Sequence, residues 1–98
     1  MAACFVYIMT NRPRGVLYTG MAVDLIARAG THREGEIPGF TRRYRCTQLV
    51  WFEPHEDYHT AYHREYLIKR WRRAWKIRLI EEMNPGWKDL WFDLVDTR

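Results

Sequence analysis

The chain has 98 residues, enough for one domain with a single modest core, and we expect one domain over residues 1–98. Hydrophobic residues make up 47% of it and aromatic residues 15%, which excludes a disordered tail. A net charge of +4 mildly favours a polyanionic partner such as nucleic acid. No apolar run reaches the roughly 20 residues of a membrane span. MAACFVYIMT lacks the basic start of a secretory leader, and the two cysteines form no CxxC pair, so we expect a cytoplasmic protein. We also expect no membrane partner and no small-molecule cofactor.

The N-terminal third predicts a β-hairpin followed by a helix. CFVYIM (4–9) is typical of a buried strand, and VLYTG (16–20) predicts a second strand. Between them NRPRG (11–15) supplies turn residues, with its glycine expected to take a positive φ. Asp24 is expected to open a helix over LIARAGTHRE (25–34).

The rest of the chain completes the order β-β-α-β-α-α, which predicts an α+β fold with a small three-stranded antiparallel sheet flanked by helices. GEIPGFTRRY (35–44) predicts a loop, and TQLVWFE (47–53) predicts the third strand, ended by Pro54. The helical segments are expected from Asp57 to about Arg73, over AWKIRLIEEM (74–83) and, as a short amphipathic piece, over WKDLWFDL (87–94).

Glu65 stands out because it shares a helical face with apolar residues. Ala61, Ile68, Trp71 and Trp75 recur at helical spacing, and Glu65 falls on the same inward stripe. A carboxylate there must be compensated, since desolvating an unpaired charge costs several kcal/mol. Its partner is either a cation of the protein, such as one of the many arginines, or a divalent metal, and the helix alone leaves both open.

The stretch HEDYH (55–59) fits the zinc-protease pattern H-E-x-x-H, and His63 follows four residues later. That motif requires both histidines on one helix. His55 directly follows Pro54, and Asp57 is typical of a helix N-cap, so we expect His55 to precede the helix. We therefore interpret the match as a coincidence.

Two short motifs in the hairpin resemble a known family. FVY (5–7) and YTG (18–20) resemble the paired signature of the GIY-YIG nuclease superfamily, although the leading glycine and the isoleucine are replaced. Arg28 stands where the superfamily carries an arginine, His32 follows one turn later, and Glu65 stands at the metal-binding glutamate. The combination in this order is more specific than any motif alone. The spacing does not establish Asn84 as the late asparagine of some members, so Asn84 is left out of the site.

Longer segments extend the resemblance to small stand-alone bacterial members of the superfamily over nearly the whole chain. The segments are TNRPRGVLYTG (10–20), EGEIPGFTRRY (34–44), LVWFE (49–53) and KRWRRAWKIRLIEEMNP (69–85).

The resemblance implies a role for each of five residues in DNA phosphodiester hydrolysis with one Mg²⁺ or Mn²⁺. Glu65 would hold the metal, which suits an ion that keeps much of its hydration shell. Tyr7 would be the general base, with nearby cations expected to lower its pKa from about 10. Tyr18 would position water or phosphate, and Arg28 would bind the phosphate as charge develops. His32 would relay a proton or bind phosphate.

The hairpin register decides whether the two tyrosines can act together. Side chains alternate across a strand, so Tyr7 and Tyr18 share a face in only one parity of register, such as Thr10 opposite Gly15. In that register the two tyrosines would be directly opposite each other. The sequence leaves the register open.

Basic residues around the long helix and the preceding loop are candidates for contacts with the nucleic-acid backbone. We expect Trp71 and Trp75, which are interleaved with them, to be core residues rather than base-stacking surfaces. The candidates are Arg42, Arg43, Lys69, Arg70, Arg72 and Arg73.

The sequence therefore predicts a metal-dependent endonuclease acting on DNA, structured or branched DNA included, in repair or recombination. One alternative is a non-catalytic nucleic-acid-binding module with a vestigial site. A second is a protein-interaction domain that uses WKDLWFDL (87–94) as an exposed apolar patch.

Overall fold

The structure of the protein, a computed structural model, describes residues 2–96. These residues form an antiparallel sheet of three strands with helices on both faces, which confirms the predicted α+β fold. No helix within residues 2–96 is long and apolar enough to cross a membrane. The elements are β1 (Cys4–Thr10), β2 (Leu17–Ala22), α1 (Leu25–Arg33), α2 (Phe40–Arg43), β3 (Gln48–His55), α3 (Tyr58–Arg70), α4 (Arg73–Met83) and α5 (Trp91–Asp96).

The first strand lies in the centre of the sheet, whose order is β2-β1-β3. Because successive side chains point to opposite faces, Val6 and Ile8 pack on one side and Tyr7 and Met9 on the other. All four are buried. This double burial explains why β1 is a continuous apolar run rather than an alternating one.

Each face of the sheet carries its own apolar core. On one face Val6 and Ile8 pack with Ala61 and Ile68 of α3 and with Ile80 of α4. On the other face the core contains Tyr7 and Met9 together with residues from α1 and β3. Its remaining buried members are Leu25, Ala29, Cys46 and Leu49.

The hairpin register puts the two tyrosines on one face. Tyr7 pairs with Gly20, and Met9 pairs with Tyr18. Since Met9 is two residues from Tyr7, the two phenol rings lie on the same side of the sheet, at diagonal positions. The illustrative register with Thr10 opposite Gly15 is wrong in detail, because Thr10 pairs with Leu17.

The hairpin turn needs glycine for a reason other than the expected one. Arg14, not Gly15, has the positive φ, at 56°. The Oδ1 atom of Asn11 accepts a 2.9 Å hydrogen bond from the Val16 amide. A Cβ at position 15 would lie 2.1 Å from that Oδ1, so Gly15 makes room for the side chain that closes the turn.

Aspartates begin the two helices that carry the candidate site, as predicted. The Oδ1 of Asp24 accepts a 3.1 Å hydrogen bond from the Ala27 amide in α1. In α3, Oδ1 of Asp57 accepts a 2.8 Å bond from the Thr60 amide. Both side chains thereby satisfy amides that have no partner within the first turn.

Several boundaries differ from the sequence prediction, and α5 begins at Trp91 rather than at Trp87. The expected loop contains the four-residue helix α2, which follows Gly39 at a φ of 110°. The third strand continues through Pro54 to its end at His55. The long helix ends at Arg70, because Trp71 and Arg72 have extended backbone before α4 begins.

The break between α3 and α4 at Trp71 also determines how deeply the two tryptophans, Trp71 and Trp75, are buried. Trp71 is half-buried and packs against the core, as expected. Trp75 lies in α4, where it no longer follows the phase of the α3 stripe, and 44% of it is exposed. The expectation that Trp75 is a core residue is therefore wrong.

Candidate active site

The phenol of Tyr7 lies across the edge strand β2, over a residue that has no side chain. A Cβ on Gly20 would approach Tyr7 Oη to 2.7 Å and Tyr7 Cζ to 2.8 Å, well inside contact distance. Glycine at this position therefore makes space for the ring of its cross-strand partner. Gly20 lies inside β2 rather than at a turn into the helix.

His32 of α1 meets this phenol from the helix side. Its Nε2 lies 2.9 Å from Tyr7 Oη, and its Nδ1 lies 3.0 Å from Oγ1 of Thr41. Only 2% of the His32 side chain is exposed. Both ring nitrogens thus have a partner inside the protein, and the ring is fixed between β1 and α2.

Tyr18 completes an aromatic cluster around the same point. Its ring centroid lies 6.4 Å from that of Tyr7 and 5.4 Å from that of His32. The Tyr7 and His32 rings are 5.8 Å apart. Three of the five sequence-predicted site residues therefore contact one another directly.

Arg28 acts on this cluster through a side-chain hydrogen bond and its charge, and Glu65 acts through its charge. The pKa of Tyr7 is raised from 10.0 to about 12, chiefly by burial and then by the neighbouring Tyr18. Arg28 lowers it, and Glu65 adds a smaller rise. The cation lowers the pKa of Tyr7 as expected, but the expected net lowering is wrong for the protein alone, because burial outweighs the guanidinium.

The same surroundings keep His32 neutral. Burial, followed by the positive charge of Arg28, lowers its pKa from 6.5 to about 4. At neutral pH the imidazole therefore has one protonated nitrogen and one lone pair. With the Nδ1 proton donated to Thr41, Nε2 is free to accept the hydrogen bond of the Tyr7 phenol.

Arg28 is exposed on α1, one turn before His32. It lines an open cavity of about 360 Å³ that also borders the end of β2 and the start of α1. A guanidinium at the edge of such a cavity can donate paired hydrogen bonds to a phosphate.

Glu65 of α3 is paired with a lysine of its own helix. Its Oε2 lies 3.0 Å from Lys69 Nζ, and 14% of the glutamate side chain is exposed, compared with 52% of the lysine. The compensating cation is thus Lys69, rather than an arginine. Within residues 2–96 no three His, Cys, Asp or Glu side chains form a metal-ligand set. A single, largely buried carboxylate fits Mg²⁺ or Mn²⁺ only where water and substrate oxygens complete the coordination.

The candidate residues for contacts with the nucleic-acid backbone differ in whether their side chains already have contacts within the protein. Arg42 and Arg43 of α2 are exposed. The Arg70 guanidinium lies 4.5 Å from the Tyr66 ring centroid, and that of Arg72 lies 5.4 Å from Trp75. Such stacking leaves the edge of a guanidinium able to donate to a phosphate.

Arg73 has a contact inside the fold. Its Nη2 donates to the carbonyl oxygens of Arg14 and, at 2.7 Å, of Gly15. This side chain therefore holds the hairpin turn against the start of α4. Asn84, which we left out of the site, is likewise buried, and its Nδ2 donates to the carbonyls of Val50 and Lys88.

The histidines of HEDYH do not share one helix. His55 lies in β3, as expected from the position of Asp57, and its Nε2 is 2.8 Å from Glu53 Oε1. His59 and His63 are exposed on α3. The backbone thus separates the first histidine from the other two, unlike the zinc-protease arrangement.

Two site neighbours escaped the sequence analysis, Phe40 and Thr41 of α2. Thr41 bonds to His32, and the Phe40 ring lies 6.1 Å from that of Tyr18. A four-residue helix is too short to show periodicity, and the preceding Pro38 and Gly39 are typical of a loop. Neither residue type carries a catalytic signal by itself.

Comparison with known proteins gives the class of this domain. The GIY-YIG catalytic domain family matches residues 3–78, which is most of the chain. The chain belongs to this family, within the GIY-YIG nuclease superfamily, whose substrates are nucleic acids.

Small bacterial proteins are similar over most of their length. UPF0213 proteins of Staphylococcus aureus strains Mu3, Mu50 and MW2 are each 42% identical over 82 residues. The alignment covers 84% of this chain and 99% of each relative. No solved structure matches the chain.

Proposed function

We propose that this protein is a metal-dependent endonuclease that hydrolyses DNA phosphodiester bonds in repair or recombination. The observation that carries the proposal is the convergence of four groups on one phenol, that of Tyr7. Tyr18 and His32 contact the Tyr7 ring, while the charges of Arg28 and Glu65 act on its hydroxyl. This convergence lies inside the matched catalytic domain.

Tyr7 and His32 would remove the proton from the attacking water together. The water proton passes to Tyr7 Oη as the water oxygen attacks phosphorus, and the phenol proton passes to His32 Nε2. The 2.9 Å hydrogen bond supports this transfer, because it joins the phenol directly to a neutral imidazole. A relay also explains how a phenol with a raised pKa can act without prior ionisation.

Arg28 and Tyr18 would hold the phosphate in line for the attack. The guanidinium of Arg28 offers paired donors to two phosphate oxygens and balances the charge that develops on them. Tyr18 borders both Tyr7 and His32, so its hydroxyl can orient the water or the phosphate.

Glu65 would hold one Mg²⁺ or Mn²⁺. When bound, the metal withdraws charge from the scissile phosphate and stabilises the leaving oxygen. Lys69 supports this assignment, because its side chain is half-exposed and can leave the carboxylate. Once released, Lys69 would join Arg42, Arg43, Arg70 and Arg72 in contacting the nucleic-acid backbone. Arg73 can contribute its charge from the position in which it holds the hairpin turn.

A second candidate is a nucleic-acid-binding module in which the site no longer acts. The pKa of about 12 for Tyr7 favours it, because a buried neutral phenol is a poor base at pH 7.

The deciding experiment is cleavage of plasmid and branched DNA with Mg²⁺ or Mn²⁺. We expect wild-type cleavage to need the metal and to disappear in Glu65→Ala and Tyr7→Phe. Glu56→Ala is the matched control, because Glu56 is an exposed carboxylate just before α3, and it should cleave like the wild type. Cleavage that survives in Glu65→Ala and Tyr7→Phe would overturn the nuclease assignment. Salt-sensitive DNA binding without any cleavage would favour the binding module.

A further inference from the structure

An aromatic surface on α2 continues outward from the candidate active site. The Phe40 ring lies 6.1 Å from Tyr18 at an interplanar angle of 31°, and the Tyr44 ring lies 4.8 Å beyond Phe40. Tyr18 itself touches Tyr7 and His32. The rings therefore run without a gap from the phenol of Tyr7 to the protein surface.

The outer two rings are open to solvent. Phe40 is 47% exposed and Tyr44 is 41% exposed. Phe40 has no polar atom, so burying it in the core would be favourable, yet the fold leaves almost half of it outside. Exposed apolar surface next to a site commonly marks an interaction surface.

The surroundings of the two rings are positively charged. Together with Pro38, Gly39 and the exposed cations Arg42 and Arg43, the rings line an open cavity of about 720 Å³. The Arg43 guanidinium lies 5.5 Å from the Tyr44 ring centroid. The lining residues include no carboxylate. The volume falls in the range of small-ligand pockets, roughly 300–1,000 Å³.

We propose that Phe40 and Tyr44 form a stacking site for an unpaired nucleobase beside the scissile phosphate. Aromatic faces bind bases by stacking, while neighbouring arginines bind the phosphates on either side. Because a base in a duplex already stacks on its neighbours, an open ring favours a strand whose base is unpaired. The ligand class is thus a nucleic acid with a single-stranded segment at the cleavage point. This inference relies on the proposed function for the nature of the ligand and for the position of the scissile phosphate.

The test separates base stacking from backbone attraction. Binding of a labelled single-stranded oligothymidylate is measured by fluorescence anisotropy in EDTA, so that no cleavage can occur. The same measurement uses an oligonucleotide of equal length in which abasic sites replace the bases. The two probes have the same phosphates, so charge attraction contributes equally to both.

We expect wild-type protein to bind the thymidylate about tenfold more tightly than the abasic probe. In Phe40→Leu and Tyr44→Leu this preference should fall to a few-fold or less, while affinity for the abasic probe stays unchanged. Arg42→Gln should weaken binding of both probes in the same proportion. Phe92→Leu is the matched control, because Phe92 is 51% exposed on α5, and it should keep the preference.

Equal affinity of the wild type for the two probes would overturn the stacking site, as would a preference that survives in Phe40→Leu and Tyr44→Leu. Both positions are exposed, and equal melting temperatures would exclude unfolding as the cause of any loss. The outcome is independent of the nuclease assay. Base-dependent binding without Glu65-dependent cleavage would support the stacking site and reject the enzyme, and the converse would reject the stacking site alone.

Discussion

Tyr7 Oη and His32 Nε2 share a 2.9 Å hydrogen bond that joins the central strand to the first helix. Both groups are buried, and their protonation states are biased towards the neutral forms: the pKa of the phenol is raised and that of the imidazole is lowered. At pH 7 the protein therefore contains a neutral donor and a neutral acceptor in contact. We therefore expect the phenol proton to pass from Tyr7 to His32 only when a charged group binds beside this pair.

The depressed pKa of His32 should make the folded protein sensitive to acid. Between pH 6.5 and about 4 the unfolded chain binds a proton at this residue that the folded protein does not. The free energy of unfolding should therefore decrease as the pH is lowered through this window, by about 3 kcal/mol in total. Urea denaturation at several pH values measures the slope.

In His32→Gln this part of the pH dependence should be absent, because the amide does not titrate. His63→Gln removes an exposed histidine and should retain the slope. An unchanged slope in His32→Gln would mean that another group controls acid sensitivity.

Thr41 is expected to position His32 rather than to touch the substrate. Thr41→Val keeps the shape but removes Oγ1, which lies 3.0 Å from His32 Nδ1. Leaving that buried nitrogen without a partner should cost about 1–3 kcal/mol of stability. Metal-dependent cleavage by the folded variant should fall, by up to about a hundredfold, because the imidazole is no longer held for proton transfer.

Thr41→Ser restores the hydroxyl and should recover both stability and cleavage. The comparison of kcat at several pH values separates positioning from a general loss of folding. If the serine variant stays as impaired as the valine variant, the methyl packing of Thr41, and not its hydroxyl, is what matters.

Gly20 should tolerate no side chain, because Tyr7 occupies the space. In Gly20→Ala the new Cβ would meet Tyr7 Oη at 2.7 Å, so the ring or the strand must shift. Overpacking of this kind typically costs about 1–3 kcal/mol. Displacement of the phenol should also weaken cleavage, and chemical denaturation with a parallel cleavage assay measures both effects.

Gly30→Ala is the matched control for this substitution. Position 30 lies inside α1, and a Cβ there meets nothing within 4 Å. Alanine should stabilise the helix by about 0.5–1 kcal/mol and leave cleavage unchanged. Equal destabilisation by both substitutions would contradict the role assigned to Gly20.

The sequence predicted the strands and helices that carry the candidate site better than it predicted the residues that surround the site. Apolar β-rich runs bounded by turn residues, together with the Asp24 and Asp57 caps, were enough to predict the sheet and the helices that carry Arg28 and Glu65. The cation that pairs with Glu65 could also be predicted from the sequence, because Lys69 follows Glu65 by four residues on one helix face. We left the partner open between a cation of the protein, such as an arginine, and a divalent metal, whereas this spacing favours Lys69.

The remainder depends on distant contacts that no local pattern encodes. The raised pKa of Tyr7 follows from burial between β2 and α1, which is a property of the packed fold. Thr41 and Phe40 approach the site only because α2 folds back towards β2. The exposure of Trp75 follows from two extended residues after α3, which carry neither proline nor glycine.

Lys69 should compete with a divalent metal for Glu65. In Lys69→Gln the carboxylate loses its 3.0 Å partner, so Mn²⁺ binding should tighten by about two- to fivefold, as expected for an ion pair with a half-exposed lysine. Titration calorimetry measures this affinity in the cleavage-inactive Tyr7→Phe background with DNA bound, so that phosphate oxygens can complete the coordination. Glu65→Gln should abolish the binding.

Lys88→Gln is the matched control, because it removes the same charge from a 3.1 Å pair with the surface carboxylate Asp93. It should leave Mn²⁺ affinity unchanged. If Lys69→Gln and Lys88→Gln behave alike while Glu65→Gln still abolishes binding, Glu65 binds the metal without competition from Lys69. If Mn²⁺ binds equally to Glu65→Gln, the metal lies elsewhere, and the proposed role of Glu65 in catalysis fails with it.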